Sequence, residues 1–326
     1  MTIKEVAELA GVSSAAVSRY LNGGPLSEEK KERIRKAIEQ TGYHPSPAGR
    51  MLRAGRTNQI GVIVPKVDSM AVAHVTEGIA ERLKDTDYMM VLGSCDADPD
   101  RELEYLNLMQ ANNVAGIILM GTVYTPAHAK AFADCKVPLL VTGQNFPGVH
   151  CIYYDDYAAA QELTRLMVDR GRTRFGFIGV GETDEAVGTI RTAGVQDTLE
   201  EAGLPVSVDC RYVGSFDAES GKKGVDALLA ADPDIDAIIC ATDTIALGAM
   251  ARLKELGKRV PEDVSLAGFG DSWAGSLVDP PLTTVHLYHN QCGTDAANYI
   301  LALLEEPEMA RREIKLGYQV VERKSV

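Results

Sequence analysis

The sequence predicts a two-part protein: an all-α helix-turn-helix head, then an α/β body of two doubly wound parallel sheets. Three observations predict it. The opening residues carry helix caps and apolar positions at helical spacing around one glycine turn. From residue 59 onward, continuous Val/Ile/Leu-rich runs alternate with amphipathic stretches, in two successive series. The charge divides at the same place: residues 1–58 hold 10 Lys and Arg against 6 Asp and Glu, net +4, whereas residues 59–326 hold 23 against 40, net −17.

The head comes first. Thr2 and Glu5 are spaced as a capping box ahead of Ile3, Val6, Leu9 and Ala10. Gly11 stands where the first helix must stop and the chain turn. Ser13 is a good N-cap for a second helix. Val17 and Leu21 give that helix its inward stripe, leaving Ser14, Ala15, Ser18, Arg19 and Asn22 to face out. Ser27 caps a third helix, with Glu28 and Glu29 in its first turn, Ile34, Ala37 and Ile38 inside, and Gly42 at its end. Two short helices around a glycine-containing turn form a motif whose second helix enters the DNA major groove. A basic head on an acidic body confines nucleic-acid contact to one end and argues against a nonspecific coat.

Residues 46–58, SPAGRMLRAGRTN, form the next element. Ser46 can cap, and Pro47 suits the first helical position, where its missing N–H is not needed. Gly49 weakens such a helix by about 0.8–1.0 kcal/mol relative to Ala. So short a helix is marginal alone, and it is expected to order on DNA, paired with a second copy.

The body follows. Strand-like runs occupy 59–65, 88–94, 115–121 and 137–143, then 150–155, 174–180, 209–214, 237–242 and 264–270. They are continuous rather than alternating, the pattern of parallel strands covered on both faces. Amphipathic stretches at 72–83, 101–110, 158–168, 221–229 and 245–256 separate them. Two βαβ series in tandem predict two lobes. After a helix at 291–304, the run IKLGYQVVE (314–322) reads as one tail strand returning to one lobe.

Ligands of such sheets bind beyond the carboxyl ends of the strands. That rule nominates Lys66 and Asp68, Asp96, Thr122, Gln144 and Asn145, Asp155 and Asp156, Thr242 and Asp243, and Asp271. A cleft rich in Asp, Asn, Gln and Thr suits a polyhydroxylated ligand, with Phe216, Trp273 and Tyr288 as platforms for its C–H faces. The six cysteines show no C-x-x-C pair and several adjoin apolar strands, so they read as reduced core residues of a cytosolic protein. His286 and His289 have no accompanying ligand cluster, so no metal is expected. No apolar run reaches a membrane span and no signal-peptide core precedes the head, which counts against an exported sugar-binding protein. No nucleophile or acid/base pair stands at a defined spacing, so an enzyme is not expected.

Residues 2–22, GYHP (42–45), LRAGRTNQIGVIVP (52–65), CATDTIALGAM (240–250), VPEDVSLAGF (260–269) and PPLTTV (280–285) resemble the LacI/GalR family of bacterial transcriptional regulators, in order along the whole chain. The resemblance implies a helix-turn-helix domain over 1–45, a hinge over 46–58, and a periplasmic-binding-protein-like core over 59–326 that dimerises. Its N-lobe is expected at 59–148 and 284–308, and its C-lobe at 149–283 and 309–326. Ser14, Ala15 and Arg19 match the base-reading positions. Two are small, so direct readout rests on Arg19, whose bidentate contact to guanine is worth roughly 1–3 kcal/mol of discrimination. Ser13, Ser18 and Asn22 are expected on phosphates. Leu52 matches a minor-groove wedge, with Arg50 and Arg53 beside phosphates.

The implied effector set is Lys66, Asp68, Ser69, Gln144, Asn145, Arg191, Phe216, Thr242, Asp243, Asp271 and Trp273. Arg191 matches a sugar-clamping arginine and Phe216 an aromatic platform. Gly270 departs from the family, which more often carries an acid there. VPKVDSM (64–70) and YYDDYAAA (153–160) look most like the trehalose/sucrose repressor branch. Lys66 could serve a phosphate, whereas Gln144 stands where a phosphate-binding member would carry Arg, so a neutral disaccharide and a sugar phosphate both stay open. The expectation is a cytoplasmic, nucleoid-associated homodimeric repressor without cofactor. It would bind a pseudo-palindromic operator of a carbohydrate-utilisation operon and be released by its sugar. The alternative is a catabolite-control-type regulator with a protein or phosphosugar corepressor.

Overall fold

A computed structural model describes residues 2–21, 24–43 and 57–326. The chain divides into two compact units, Met1–Thr57 and Asn58–Val326.

The first unit holds α1 (Ile3–Ala10), α2 (Ser14–Leu21) and α3 (Glu28–Thr41). The capping box forms: the Thr2 N–H donates to Glu5 Oε2 at 2.8 Å and the Glu5 N–H to Thr2 Oγ1 at 3.4 Å. Gly11 takes a left-handed φ of 60°, and Arg33 Nη2 of α3 donates to its carbonyl at 2.8 Å, tying the third helix to the turn. Ser13 caps α2 through Ala16 N at 3.2 Å. Ser27 occupies the N-cap of α3 with extended backbone, but its hydroxyl makes no capping hydrogen bond. The core is Val6, Ala7, Ala10, Ala16, Val17, Ile34, Ala37 and Tyr43. Leu9, expected inside, is 50% exposed. At 100° per residue the inward arc spans Val6, Ala10 and Ala7, and Leu9 lies about 105° from its centre.

The second unit is built on two six-stranded sheets. The first runs β11-β5-β4-β3-β1-β2, all parallel, from β1 (Gln59–Val64), β2 (Met89–Ser94), β3 (Gly116–Met120), β4 (Leu139–Thr142), β5 (His150–Tyr154) and β11 (Glu313–Leu316). The second runs β12-β10-β9-β8-β6-β7, from β6 (Phe175–Val180), β7 (Arg211–Gly214), β8 (Ala237–Cys240), β9 (Ser265–Phe269), β10 (Thr283–Leu287) and β12 (Tyr318–Val321). Only β12 pairs antiparallel, against β10. The central strands β1, β3, β6, β8 and β9 are buried almost throughout, as their unbroken apolar runs require.

Helices α4 (Met70–Leu83), α5 (Pro99–Ala111), α6 (Pro126–Ala133) and α12 (His289–Glu305) serve the first sheet. α4 and α12 cross at backbone contact. A Cβ on Gly78 would lie 2.0 Å from Asn290 O, and one on Gly293 would lie 2.0 Å from Val75 O. The second sheet carries α7 (Asp156–Asp169), a π-helical turn (Glu185–Ile190) running into α8 (Arg191–Glu201), then α9 (Ala218–Ala231), α10 (Asp243–Glu255) and α11 (Trp273–Leu277). All six cysteines are free, and burial raises the thiols of Cys151 to about 11 and Cys292 to about 12, well away from reactive thiolates.

Three lobe assignments differ from the sequence reading. β5 joins the first sheet, not the second. Residues 284–287, expected in the first lobe, belong to β10 of the second. The tail run is two strands, β11 and β12, which break at Gly317 and edge one sheet each. The chain therefore crosses between lobes at β5–α7, β10–α12 and β11–β12. Apolar runs report burial, not neighbours, and β11 and β12 are half-buried edges whose pattern suits either sheet. β10 escaped notice because Thr283, Thr284 and His286 interrupt its apolar run; the two buried threonines are satisfied by specific partners instead.

Candidate functional site

The head offers one face of α2. Ala16 and Val17 hold the helix to the core, which leaves Ser13, Ala15 and Arg19 exposed and Ser14 and Ser18 half-buried. Ala15 and Arg19, one turn apart, share a face. The Ser13 hydroxyl is already engaged as the cap. Asn22, Arg50, Leu52, Arg53 and all but the last two residues of the hinge lie outside the described residues.

The second unit gathers polar side chains at the carboxyl ends of both sheets. Gln144, beyond β4, is 4% exposed and reaches the other lobe. Its Nε2 donates to Asp184 Oδ1 at 2.8 Å, and its Oε1 accepts from Ala186 N at 3.0 Å. Asp184 caps the π-turn through Val187 N at 3.0 Å. π-turns of this kind recur where a helix must re-aim a functional side chain, and Arg191 follows at once. Its Nε donates to Asp156 Oδ1 at 2.7 Å and its Nη1 to Ala241 O at 2.7 Å, with the guanidinium 4.9 Å above the Phe269 ring. Burial raises the carboxyl of Asp156, with Arg191 pulling the other way, and burial also raises Asp184.

Asp243 opens α10 and is buried. Thr284 Oγ1 donates to its Oδ1 at 2.6 Å and Ser272 N to its Oδ2 at 2.6 Å. Burial is the largest influence on its carboxyl and raises it. The fit needs Gly268, where a Cβ would lie 2.6 Å from Asp243 Oδ1. Thr242 caps α10 through Ile245 N at 3.3 Å. Asp271, in left-handed backbone at φ 48°, is held by Arg323 Nη2 at 2.5 Å and His286 Nδ1 at 2.9 Å. At the rim, Trp273, Phe216 and Tyr288 are 64%, 50% and 41% exposed. Lys66, Asp68 and Asn145 are exposed, and Ser69 stands at the N-cap of α4 without a capping bond. Asp217 lies below the usual carboxylate range through hydrogen bonds from Ser220, with a smaller contribution from Lys66 of the other lobe.

Asp184, Thr284, Arg323, His289 and Tyr154 were absent from the sequence-predicted set, and Asp156 entered it only as a strand end. Tyr154 and His289, on two crossovers, meet at 2.8 Å, and burial pushes the imidazole down to about 3. His286 and His289, three residues apart, turn to different partners, one to Asp271 and one to Tyr154. Among the described residues no cluster of His, Cys, Asp or Glu could hold a metal ion, and no helix is long and apolar enough to cross a membrane.

Known proteins resemble this chain in sequence and fold. Residues 2–46 match the family described as bacterial regulatory proteins, lacI family, and residues 164–326 match the periplasmic binding protein-like domain. The sucrose operon repressor of Staphylococcus xylosus is 30% identical over 312 residues, covering 96% of each chain. The HTH-type transcriptional regulator RegA of Clostridium saccharobutylicum is 29% identical, covering 99% of this chain and 98% of its own. A lac repressor dimer solved on operator with the anti-inducer ONPF superposes with a TM-score of 0.87 over 100% of this chain and 98% of its own; at 23% identity that likeness speaks for the fold. With its DNA-reading head and its two-lobed core both matched, the chain belongs to the LacI family of bacterial regulatory proteins.

Proposed function

We propose that this protein is a homodimeric repressor of a carbohydrate-utilisation operon, released from its operator by a sugar held between the two lobes. The observation that carries the reading is the Gln144 bridge. One buried amide joins the end of a first-sheet strand to the π-turn of the second sheet, beside buried Asp184 and Arg191, and the proposed cleft lies between these strand ends. Two walls in hydrogen-bond contact make a two-state element, and a ligand biases it by its differential affinity for the two states.

The roles follow from that geometry. Arg191 supplies guanidinium N–H donors to ring hydroxyls. Asp184 and Gln144 take adjacent hydroxyls. Phe216 and Trp273 cover C–H faces from the rim, and Lys66, Asp68, Ser69, Asn145, Thr242 and Asp271 complete its outer ring. On the head, Arg19 reads a base while Ser14 and Ala15 fit against the groove, and Ser13 and Ser18 face phosphates with Asn22. Leu52, Arg50 and Arg53 belong to the hinge contact. Sugar binding changes the spacing of the two heads on a pseudo-palindromic operator.

The test is operator affinity of the full-length protein, on duplexes it selects from a random pool, with and without sucrose, trehalose, cellobiose and maltose. Coupling of about 1–3 kcal/mol corresponds to a fall of roughly 5- to 150-fold. A rise in affinity would make the sugar a corepressor. Indifference to sugars, combined with tightening by a phosphocarrier protein or a phosphosugar, would establish catabolite control instead.

A further inference from the structure

We propose that Asp156 sets the charge selectivity of the cleft: by ion-pairing Arg191 inside the wall it turns away phosphorylated and carboxylate-bearing ligands, so the effector is a neutral polyhydroxylated molecule. The inference rests on the cleft being the effector site and deepens that reading by naming the ligand class.

Arg191 is the buried cation of this wall, 6% exposed. Its charge is answered within the protein by Asp156, itself 3% exposed and 2.7 Å away. Ala241 O takes a second N–H, and the face of Phe269 covers the guanidinium plane. A guanidinium has five N–H donors; those left over suit the oxygen of a neutral hydroxyl, which needs a donor but no net charge. An anion gains most from unpaired positive charge, and the buried guanidinium of this wall is already answered by Asp156. Asp156 and Asp184 are both buried within electrostatic reach of Arg191, so two carboxylates face one guanidinium, and Asp184 raises Asp156 electrostatically. Gln144 adds hydrogen bonds but no charge. Of the other cations at these strand ends, Arg323 is paired with Asp271 at 2.5 Å, and Lys66 is exposed to water, which screens its charge. An entering phosphate would have to displace Asp156 from Arg191 or sit beside uncompensated carboxylates where water does not screen them.

The experiment uses the full chain and two readouts, calorimetry and the fluorescence of Trp273, the only tryptophan in the sequence. The first arm compares matched pairs on the wild type: glucose and glucose 6-phosphate, sucrose and sucrose 6-phosphate, trehalose and trehalose 6-phosphate. In any pair that binds, the neutral member is expected to be tighter by about 10-fold or more; equal or tighter binding of the phosphorylated member overturns the proposal. The second arm titrates inorganic phosphate, followed by phosphorus NMR. The wild type is expected to show no Arg191-dependent binding at millimolar phosphate, whereas Asp156→Asn gains it. Asp156→Asn/Arg191→Met loses it again, and the charge-conserving Asp156→Glu behaves as the wild type. Circular dichroism confirms that each variant is folded. A folded Asp156→Asn without the gain, or Arg191-dependent phosphate binding by the wild type, overturns the assignment. If Asp156→Asn does not fold, the matched pairs and the wild-type titration decide. Neither arm reads operator DNA, so a cleft that prefers neutral ligands without changing operator affinity would sink the repressor reading and leave the charge selectivity standing.

Discussion

The two sheets of the core are wound alike and end differently. Both carry six strands, and their carboxyl ends meet through Gln144 and the π-turn. At those ends the first sheet displays exposed Lys66, Asp68 and Asn145, with Gln144 buried beyond β4 and Asp156 buried beyond β5, where the chain has already turned into α7 of the second lobe. The second buries Asp184, Arg191, Asp243 and Ser272. Charge taken out of water must be paired and hydrogen-bonded in place, so the second sheet is the preorganised wall and the first is the adjustable one. A hinged clamp gains from that division: one wall holds its donors and acceptors fixed, and the other closes with a single amide.

The comparison is broken most severely at Arg191. Arg191→Met leaves Asp156 buried and unpaired and should cost about 3–5 kcal/mol of stability in urea denaturation. Acid should restore part of this, because Asp156, already raised by burial, needs no partner once protonated. A loss below 1 kcal/mol would mean that the second wall is not rigid.

His289 sharpens the same point through pH. Its native value of about 3 lies below its ordinary 6.5. Between those values the unfolded chain binds a proton that the native state refuses. The contribution of His289 is therefore full above pH about 6.5 and is lost as pH falls toward 3, by at most about 1.36 kcal/mol per pH unit. Asp156, Asp184 and Asp243, raised by burial, push the opposite way on acidification. Comparing His289→Gln with the wild type isolates the histidine: the variant should show the shallower acid loss, and identical slopes would exclude it.

On the first wall the effects should be smaller. Gln144→Ala strands Ala186 N and leaves Asp184 Oδ1 with Val187 N alone, and should cost about 1–3 kcal/mol. It should weaken operator release more than sugar binding, because it removes the contact between walls. Lys66→Ala, on an exposed side chain, should stay within about ±0.5 kcal/mol of wild-type stability. Destabilisation of several kcal/mol there would erase the distinction between the walls.

Much of this architecture was legible residue by residue. The capping box, Gly11, Ser13 and Gly42 announced the head because caps are local: each donor and its acceptor lie within a few residues. The central strands announced themselves because a parallel strand covered on both faces has to be apolar throughout. α8 was missed, since RTAGVQDTLEE has a weak apolar stripe and follows a π-turn that shifts its phase. Arg191, Gln144 and Asp243 were nominated, but without their partners, which lie tens of residues away. Asp271 was nominated from its strand end, and its partners Arg323 and His286 come from 52 and 15 residues away.

The sequence by itself determined the division into a DNA-reading head and a two-lobed core, the character of most elements, and the end of the sheets at which a ligand would bind. Those are matters of spacing within a few turns of chain and of how apolar each stretch is. Only the tertiary structure decided which lobe takes β5, β10 and the two halves of the tail. It alone decided that Asp156 answers Arg191, 35 residues away, and that Gln144 meets Asp184 across 40. Those pairings depend on three crossovers and on the low dielectric of the wall they build, and neither is a property of any one segment.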